Sequence, residues 1–262
     1  MTKTVATKMD DQGVTTITLN RPNKCNAFNE QTITELTNAL ETSAANPKTR
    51  IVILTAAGEI FSAGADLDWM RKMGSYNYEE NLADAKCLAT LLKTLDELPL
   101  PTIAKIQGPA FGGAIGLISC CDIAIATFNS TFCFSEVKIG LIPATIAPYI
   151  IQTIGVSHAQ CYFLSAETID AQQALNLGLL HKVVDREELD LAIEKTIQNL
   201  LANSPKAMGA IKALIKEIQY QPINEDVQHA TCKRLAKIRM SDQGQEGLSA
   251  FLEKRHPSWQ SN

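Results

Sequence analysis

Two glycine-bearing turns and one carboxylate carry the residue types that could do chemistry. Ala63-Gly64-Ala65-Asp66 and Phe111-Gly112-Gly113 each fall at the end of an expected strand, and each is followed by an expected helix. The first N–H groups of a helix have no intrahelical acceptor, and glycine lets the backbone approach a ligand closely. Two such turns brought together would aim two main-chain donors at one developing negative charge, an oxyanion hole. Removing one donor of such a hole typically costs about 2.7–4 kcal/mol of transition-state stabilisation. A tight turn needed only for packing uses the same glycines, so both readings stand on this stretch alone. The second turn belongs to the run from Gln107 to Glu136, QGPAFGGAIGLISCCDIAIATFNSTFCFSE, with Gly108, Gly112, Gly113 and Gly116. That run ends on a lone acid amid apolar neighbours. An unpaired acid there is costly, which sets an acid–base role for Glu136 against a purely structural one.

Other chemistries lack their residues. There is no GxSxG elbow, no GxxxxGK[ST] phosphate loop, no GxGxxG after a strand and no HExxH. The four histidines, His158, His181, His229 and His256, lie apart, which argues against a metal site or a Ser-His pair.

The elements that must position these groups can be read in order. Residues 4–10 and 13–20 alternate apolar and polar around Gly13 and predict a hairpin; Arg21-Pro22-Asn23 breaks the second strand. Asn29-Glu30 opens a helix with Ile33, Leu36 and Leu40 on one face. RIVILTA (50–56) is a buried strand, GEIFSAGAD (58–66) a loop leading into LDWMRKM, and Tyr78 to Leu98 a long helix closed by Pro99-Leu100-Pro101. Strands at Ile103–Ile106 and Ile123–Ala126 flank the glycine turn. Helical segments follow at about 145–165 and 169–177, with a last strand at 181–185. From Glu187 onward everything reads as helix. Leu189, Ile193, Ile197 and Leu200 form one stripe, and Met208, Ile211, Ile215 and Ile218 another, as in a lid or, preferably, an oligomerisation element.

With 262 residues the chain can bury a sizeable core, and a net charge of −4 without a basic run excludes nucleic acid as a natural partner. Seven cysteines without a CxxC pair fit a reducing cytosol better than a disulfide scaffold. No apolar run approaches 18 residues and the N-terminus has no apolar h-region, so neither a membrane span nor a signal peptide is expected.

Over essentially its full length the chain resembles the crotonase (enoyl-CoA hydratase/isomerase) superfamily. The motifs that carry this are ITLNRPNKCNAFN (17–29), FSAGADLDWM (61–70), PTIAKIQGPAFGGAIGLISCCDIAIA (101–126), FSEVKIGLIPA (134–144) and FLEKR (251–255). The resemblance implies an α/β fold. A crotonase-like ββα-spiral core would cover residues 1–200 and a C-terminal helical oligomerisation region 201–262, assembled as a homotrimer or dimer of trimers. It implies an acyl-CoA thioester substrate whose enolate oxygen is held by the N–H groups of Ala65 and Gly113. Lys24, Cys25, Asn26 and Ala27, with Ala63, Asp66 and Leu67, would cradle the CoA, and Lys254 would meet a CoA phosphate, from a neighbouring subunit if needed. CoA arrives as part of the substrate, and no metal, nucleotide or redox cofactor is expected.

The family's best-known hydratases carry two glutamates. Here the later one is Glu136 and the earlier position is Gly116. One carboxylate must then activate water and return the proton, or the enzyme is an isomerase that moves a proton between two carbons. Finer resemblance, in GADLDWMRKM, NLADA and SEVKIGLIPATIAPYI, is to bacterial methylglutaconyl-CoA and carboxygeranoyl-CoA hydratases. Their substrates bear a second carboxylate, for which Arg71 and Lys72 are candidate partners; a solvated helix face is the alternative. Trp69, Met70 and Gly116 are the candidates for lining the acyl pocket, with simple packing the preferred reading of Trp69 and Met70. The expectation is a cytoplasmic enoyl-CoA hydratase of the 3-methylglutaconyl-CoA type. An isomerase and a non-catalytic CoA-binding homologue are the alternatives.

Overall fold

The computed structural model describes residues 3–260. An antiparallel hairpin, β1 (Val5–Met9) and β2 (Val14–Leu19), opens the chain, with Val5 opposite Leu19. Helix α1 (Glu30–Ala45) starts where Asn29 accepts the Thr32 N–H, the cap that the sequence places there. Strand β3 (Ile51–Ala56) follows, then the short α2 (Leu67–Met73) and the long α3 (Tyr78–Asp96), whose capping box pairs Asn77 with Glu80. Next come β4 (Thr102–Ile106), β5 (Ala110–Phe111), α4 (Gly113–Cys120), β6 (Ile123–Thr127) and β7 (Thr131–Cys133). Helix α5 (Ala147–Ser165), β8 (Ile169–Asp170), α6 (Ala171–Asn176) and β9 (Lys182–Val184) complete the alternating part. Helices α7 (Leu189–Leu201), α8 (Pro205–Ile218), α9 (Glu225–Arg239) and α10 (Asp242–Glu253) finish the chain.

Six strands form one sheet in the order β1-β2-β3-β4-β6-β9, parallel from β2 onward. Parallel strands joined by helices are covered on both faces, and β3 shows it. Val52 and Leu54 point into a core shared with Leu36 and Leu40 of α1 and Leu91, Leu92 and Leu95 of α3. Ile51 and Ile53 point to the other face, where Ile103, Ile125 and the α7 side chains Leu189, Ile193 and Ile197 close over them. Part of the stripe read as an oligomerisation face is therefore used inside the chain. In α8 Met208 is buried, while Ile211 and Ile215 are exposed. Among the described residues, no helix is long and apolar enough to cross a membrane.

A second sheet, β5-β7-β8, escapes a reading based on alternation, because its strands are two or three residues long. It pairs Ala110 with Phe132 and Phe111 with Cys133. The glycine turn after β5 and Glu136 beyond β7 thus leave the same edge.

Gly108 joins β4 to β5 where there is no room for a side chain: a methyl group there would run into the Glu59 carbonyl, with its carbon at 3.1 Å. Gly108→Ala is expected to cost about 1–3 kcal/mol. This would be read as a lower urea midpoint with an unchanged m-value; an unshifted midpoint would show that the 58–61 loop yields freely.

Candidate active site

The two glycine turns lie side by side because their approaches are hydrogen-bonded in parallel register. Ser62 bridges to Ala110, with Phe61 N–H donating to the Pro109 carbonyl and Phe111 N–H to the Ser62 carbonyl, each at 3.0 Å. Ala65 and Gly113 each follow three residues beyond that bridge, Ala65 after the Gly64 turn and Gly113 after the Gly112 turn. Gly64, at φ +84°, permits the approach: a methyl group on it would stand 3.1 Å from the Phe111 carbonyl oxygen. On the other side of this turn, Phe28 donates its N–H to the Gly64 carbonyl (2.7 Å) and accepts the Asp66 N–H (2.8 Å). In a parallel bridge of that kind the amide of the intervening residue, Ala65, faces away from its partner. Among the described residues, neither the Ala65 N–H nor the Gly113 N–H donates to an acceptor within the protein; Gly113 is the first residue of α4.

Glu136 opens a single 3-10 turn that ends at Ile139. Its carboxylate lies over Gly112, where a methyl group would be 3.0 Å from Oε1. Gly112 has φ +53° and donates its N–H to the Cys133 carbonyl, so β7 fixes both the glycine and the acid. Burial pushes the Glu136 pKa above the usual carboxylate value, opposed only by a hydrogen bond from its own main-chain N–H. Oε2 is buried with no hydrogen-bond partner. A desolvated carboxylate over Gly112, next in the chain to the unused Gly113 amide, is the arrangement expected of an acid–base group next to an anion hole.

The walls are apolar. A methyl group on Gly113 would meet the Phe28 ring at 3.6 Å and Leu88 Cδ2 at 3.9 Å. Gly116, one turn further along α4, is fully enclosed. A β-carbon there would overlap the side chain of Ile146, 2.9 Å from its Cβ, and stand 3.2 Å from Leu92 Cδ2. Gly116 thus opens no space for an acyl chain, and the volume above it belongs to Ile146. Trp69 is buried, with its indole N–H donating to Asp84 at 3.0 Å, and Met70 is half-buried.

The turn around residues 24–27 is built from two residues in left-handed conformation, Cys25 (φ 50°) and Asn26 (φ 52°). The Asn26 side chain is spent inside the protein. It accepts the Arg21 N–H and donates to the Ala57 and Ile60 carbonyls, so it shapes a cradle and has no polar atom left for a ligand. Asp66 is likewise consumed, by Arg21 at 2.7 Å and by capping α2. Ala27 is buried, Ala63 and Leu67 are exposed, and the Ala63 N–H donates to the Cys25 carbonyl, holding the two turns together. Lys24 is exposed and 3.5 Å from Asp68. Arg71 pairs with Asp68 and Lys72 with Glu30, so both already hold a carboxylate. Lys254 caps the end of α10 and is exposed on the C-terminal helices.

A cavity of about 300 Å³, lined by Arg21, Glu30, Asp66, Trp69 and Lys72 among others, opens beside the α2 start. A larger one, about 760 Å³, lies between the β1–β2 turn, Arg50 and Trp259, and contains no candidate residue. Glu136 lines neither, so here the unpartnered groups mark the chemistry better than cavity size does. Among the described residues, no three His, Cys, Asp or Glu side chains are grouped as a metal ligand set. Sequence reasoning passed over Arg21 and Ile146, whose partners are distant in the chain and invisible to local spacing.

Comparison with known proteins identifies the family of the chain. The family described as Enoyl-CoA hydratase/isomerase matches residues 9–262. The crystal structure of an enoyl-CoA hydratase from Shewanella pealeana superposes with a TM-score of 0.95 at 46% identity, covering 98% of this chain and 96% of that one. The 2,3-dehydroadipyl-CoA hydratase of Escherichia coli is 31% identical over 252 residues, 95% of both chains. A trans-2-decenoyl-[acyl-carrier-protein] isomerase of Streptococcus mutans is 27% identical over 253 residues, again 95% of both. With its motifs in order, its two adjacent glycine turns and its acid over Gly112, the chain belongs to the enoyl-CoA hydratase/isomerase family, the crotonase superfamily.

Proposed function

We propose that the protein is an enoyl-CoA hydratase that adds water across the 2,3 double bond with Glu136 as its single acid–base group. The observation that carries this is the desolvated, half-partnered Glu136 carboxylate beside the unused amides of Ala65 and Gly113. The amides polarise the thioester carbonyl. Glu136 takes a proton from water as the oxygen bonds to Cβ, the electron pair of the double bond moves to an enolate held by the two N–H groups, and Glu136 returns the proton to Cα. One water is consumed and the carboxylate is regenerated. The CoA handle lies along the 24–27 turn, with Ala63 and Leu67 beside it and Lys24 as its cation. Lys254 contributes from a neighbouring copy in the trimeric or hexameric assembly that the resemblance implies.

We favour an acyl group of the 3-methylglutaconyl type, bearing a second carboxylate. The Arg71–Asp68 pair is exposed on both sides (76% and 68%), so it is screened by water and readily exchanged for a substrate carboxylate. The Escherichia coli relative named for dehydroadipyl-CoA, itself a dicarboxylic acyl group, supports the same class. A second reading, an enoyl-CoA isomerase, is favoured by Ile146, which leaves no room for a second acid at Gly116. Glu136 would then carry a proton between Cγ and Cα.

Incubation with 2-enoyl-CoA thioesters in H₂¹⁸O separates the two: label in a 3-hydroxyacyl product marks hydration, and a shifted double bond without label marks isomerisation. Turnover of no enoyl thioester would leave the non-catalytic CoA-binding reading. Arg71→Ala is expected to lower kcat/KM for a γ-carboxylated enoyl-CoA about 10- to 150-fold while leaving crotonyl-CoA unchanged, the scale of one charged hydrogen bond. Equal effects on both substrates would remove Arg71 from the acyl end.

Glu136→Gln should lower kcat by about 10²- to 10⁴-fold. It should also stabilise the protein at neutral pH. A carboxyl whose folded pKa is raised favours folding fully only below its unfolded pKa, and loses that contribution as pH rises through the folded value. The gain in Tm over wild type should therefore be present at pH 7 and vanish below about pH 4, where both states are protonated. A variant that is less stable than wild type at pH 7 would show that Glu136 is a structural anchor.

A further inference from the structure

We infer that Arg21 is a positioning residue for the Ala65 amide, acting through Asp66 and tying the 24–27 turn to the thioester end of the site. This rests on Ala65 and Gly113 forming the oxyanion hole. Arg21 leaves the end of β2 and is largely buried. Its Nη1 donates to the Ala27 carbonyl at 2.6 Å and its Nη2 to Asp66 Oδ2 at 2.7 Å. Its main-chain N–H is held in turn by Asn26 Oδ1 at 2.9 Å. The guanidinium fork therefore grips the residue before Phe28 and the residue after Ala65, spanning the Phe28–Ala65 bridge from both ends.

Both peptide planes that flank Ala65 are already bonded to Phe28, through the Gly64 carbonyl and the Asp66 N–H. Arg21 decides where that bonded unit sits relative to the 24–27 turn. The other oxygen of Asp66 accepts the N–H of Asp68 at 2.8 Å and of Trp69 at 3.4 Å, so the same carboxylate also starts α2. With side chains 17% and 5% exposed, Arg21 and Asp66 form a shielded pair whose geometry is not averaged by water, unlike the surface pairs around it. A lysine has the charge but no fork and can grip only one of the two acceptors at a time. An oxyanion donor works only if it points where the charge develops, and an error of about 1 Å costs on the order of 100-fold in rate. Contacts made by the CoA handle near residues 24–27 are thereby transmitted to the donor that polarises the carbonyl.

The test uses Arg21→Gln, Arg21→Lys and Asp66→Asn, the last keeping an acceptor for the α2 cap. Bound to the wild type, a cinnamoyl-CoA with an electron-donating ring substituent absorbs at longer wavelength as its carbonyl is polarised. In Arg21→Gln that red shift should shrink. Its kcat for the best enoyl thioester should fall about 10- to 100-fold, with KM changed less than about threefold. Arg21→Lys should restore part of both, and Asp66→Asn should move both in the same direction as Arg21→Gln. If the Gln variant is too unstable to purify, the Lys and Asn variants carry the comparison. A folded Arg21→Gln with the wild-type red shift and kcat overturns the inference. So does a variant that loses stability or raises KM while the red shift stays intact. If the wild type itself shows no red shift with any thioester, the oxyanion-hole reading falls and takes this inference with it.

Discussion

Everything at the site depends on two stretches of main chain, 61–62 and 109–111, running alongside each other in hydrogen-bonded register just ahead of the two glycine turns. Backbone donors are not aimed by the side chains of the residues that carry them. They are aimed by where the chain is forced to go, and here the forcing is done by close contact. Gly64 lies against the Phe111 carbonyl and Gly108 against the Glu59 carbonyl, two approaches that only glycine permits. The strands behind them, β3 and β4, are buried on both faces of the parallel sheet, so neither turn can drift without disturbing a packed core.

The acid is placed by a different device. The short pairing of β5 with β7 delivers the glycine turn and Glu136 from one edge, and Gly112 lets the carboxylate settle over the backbone. That position is unfavourable for the folded state, since the charge is desolvated and one oxygen has no partner. Fold and chemistry pull in opposite directions at this residue, and the β5–β7 pairing with the Gly112–Cys133 hydrogen bond holds it there.

What the chain discloses linearly and what it conceals divide along the range of the interactions. The buried strand at 51–56, the Asn29 cap and the glycine turns are local patterns of residue type, and they are legible because periodicity and backbone conformation act over a few residues. Glu136 is legible because an acid in an apolar run violates a strong rule. Arg21 is not: its partner Asp66 lies 45 positions away, and before Pro22 it reads only as a strand breaker. Asn26 looks like a ligand in a binding motif, yet its amide is turned inward to hold the Ala57 and Ile60 carbonyls. The stripe on α7 is real, but periodicity cannot say whether it faces another subunit or, as here for Leu189, Ile193 and Ile197, the second face of the chain's own sheet.

The enclosure of Gly116 has a consequence for how this protein can diverge. Because the Ile146 side chain fills the space a β-carbon would need, the two positions are epistatically locked. A lineage acquiring any larger residue at 116 must first shed volume at 146, and the intermediate with a smaller residue at 146 carries a cavity in the core until the second change arrives. Packing thus couples the two positions, and a second acid cannot be installed at 116 by a single replacement.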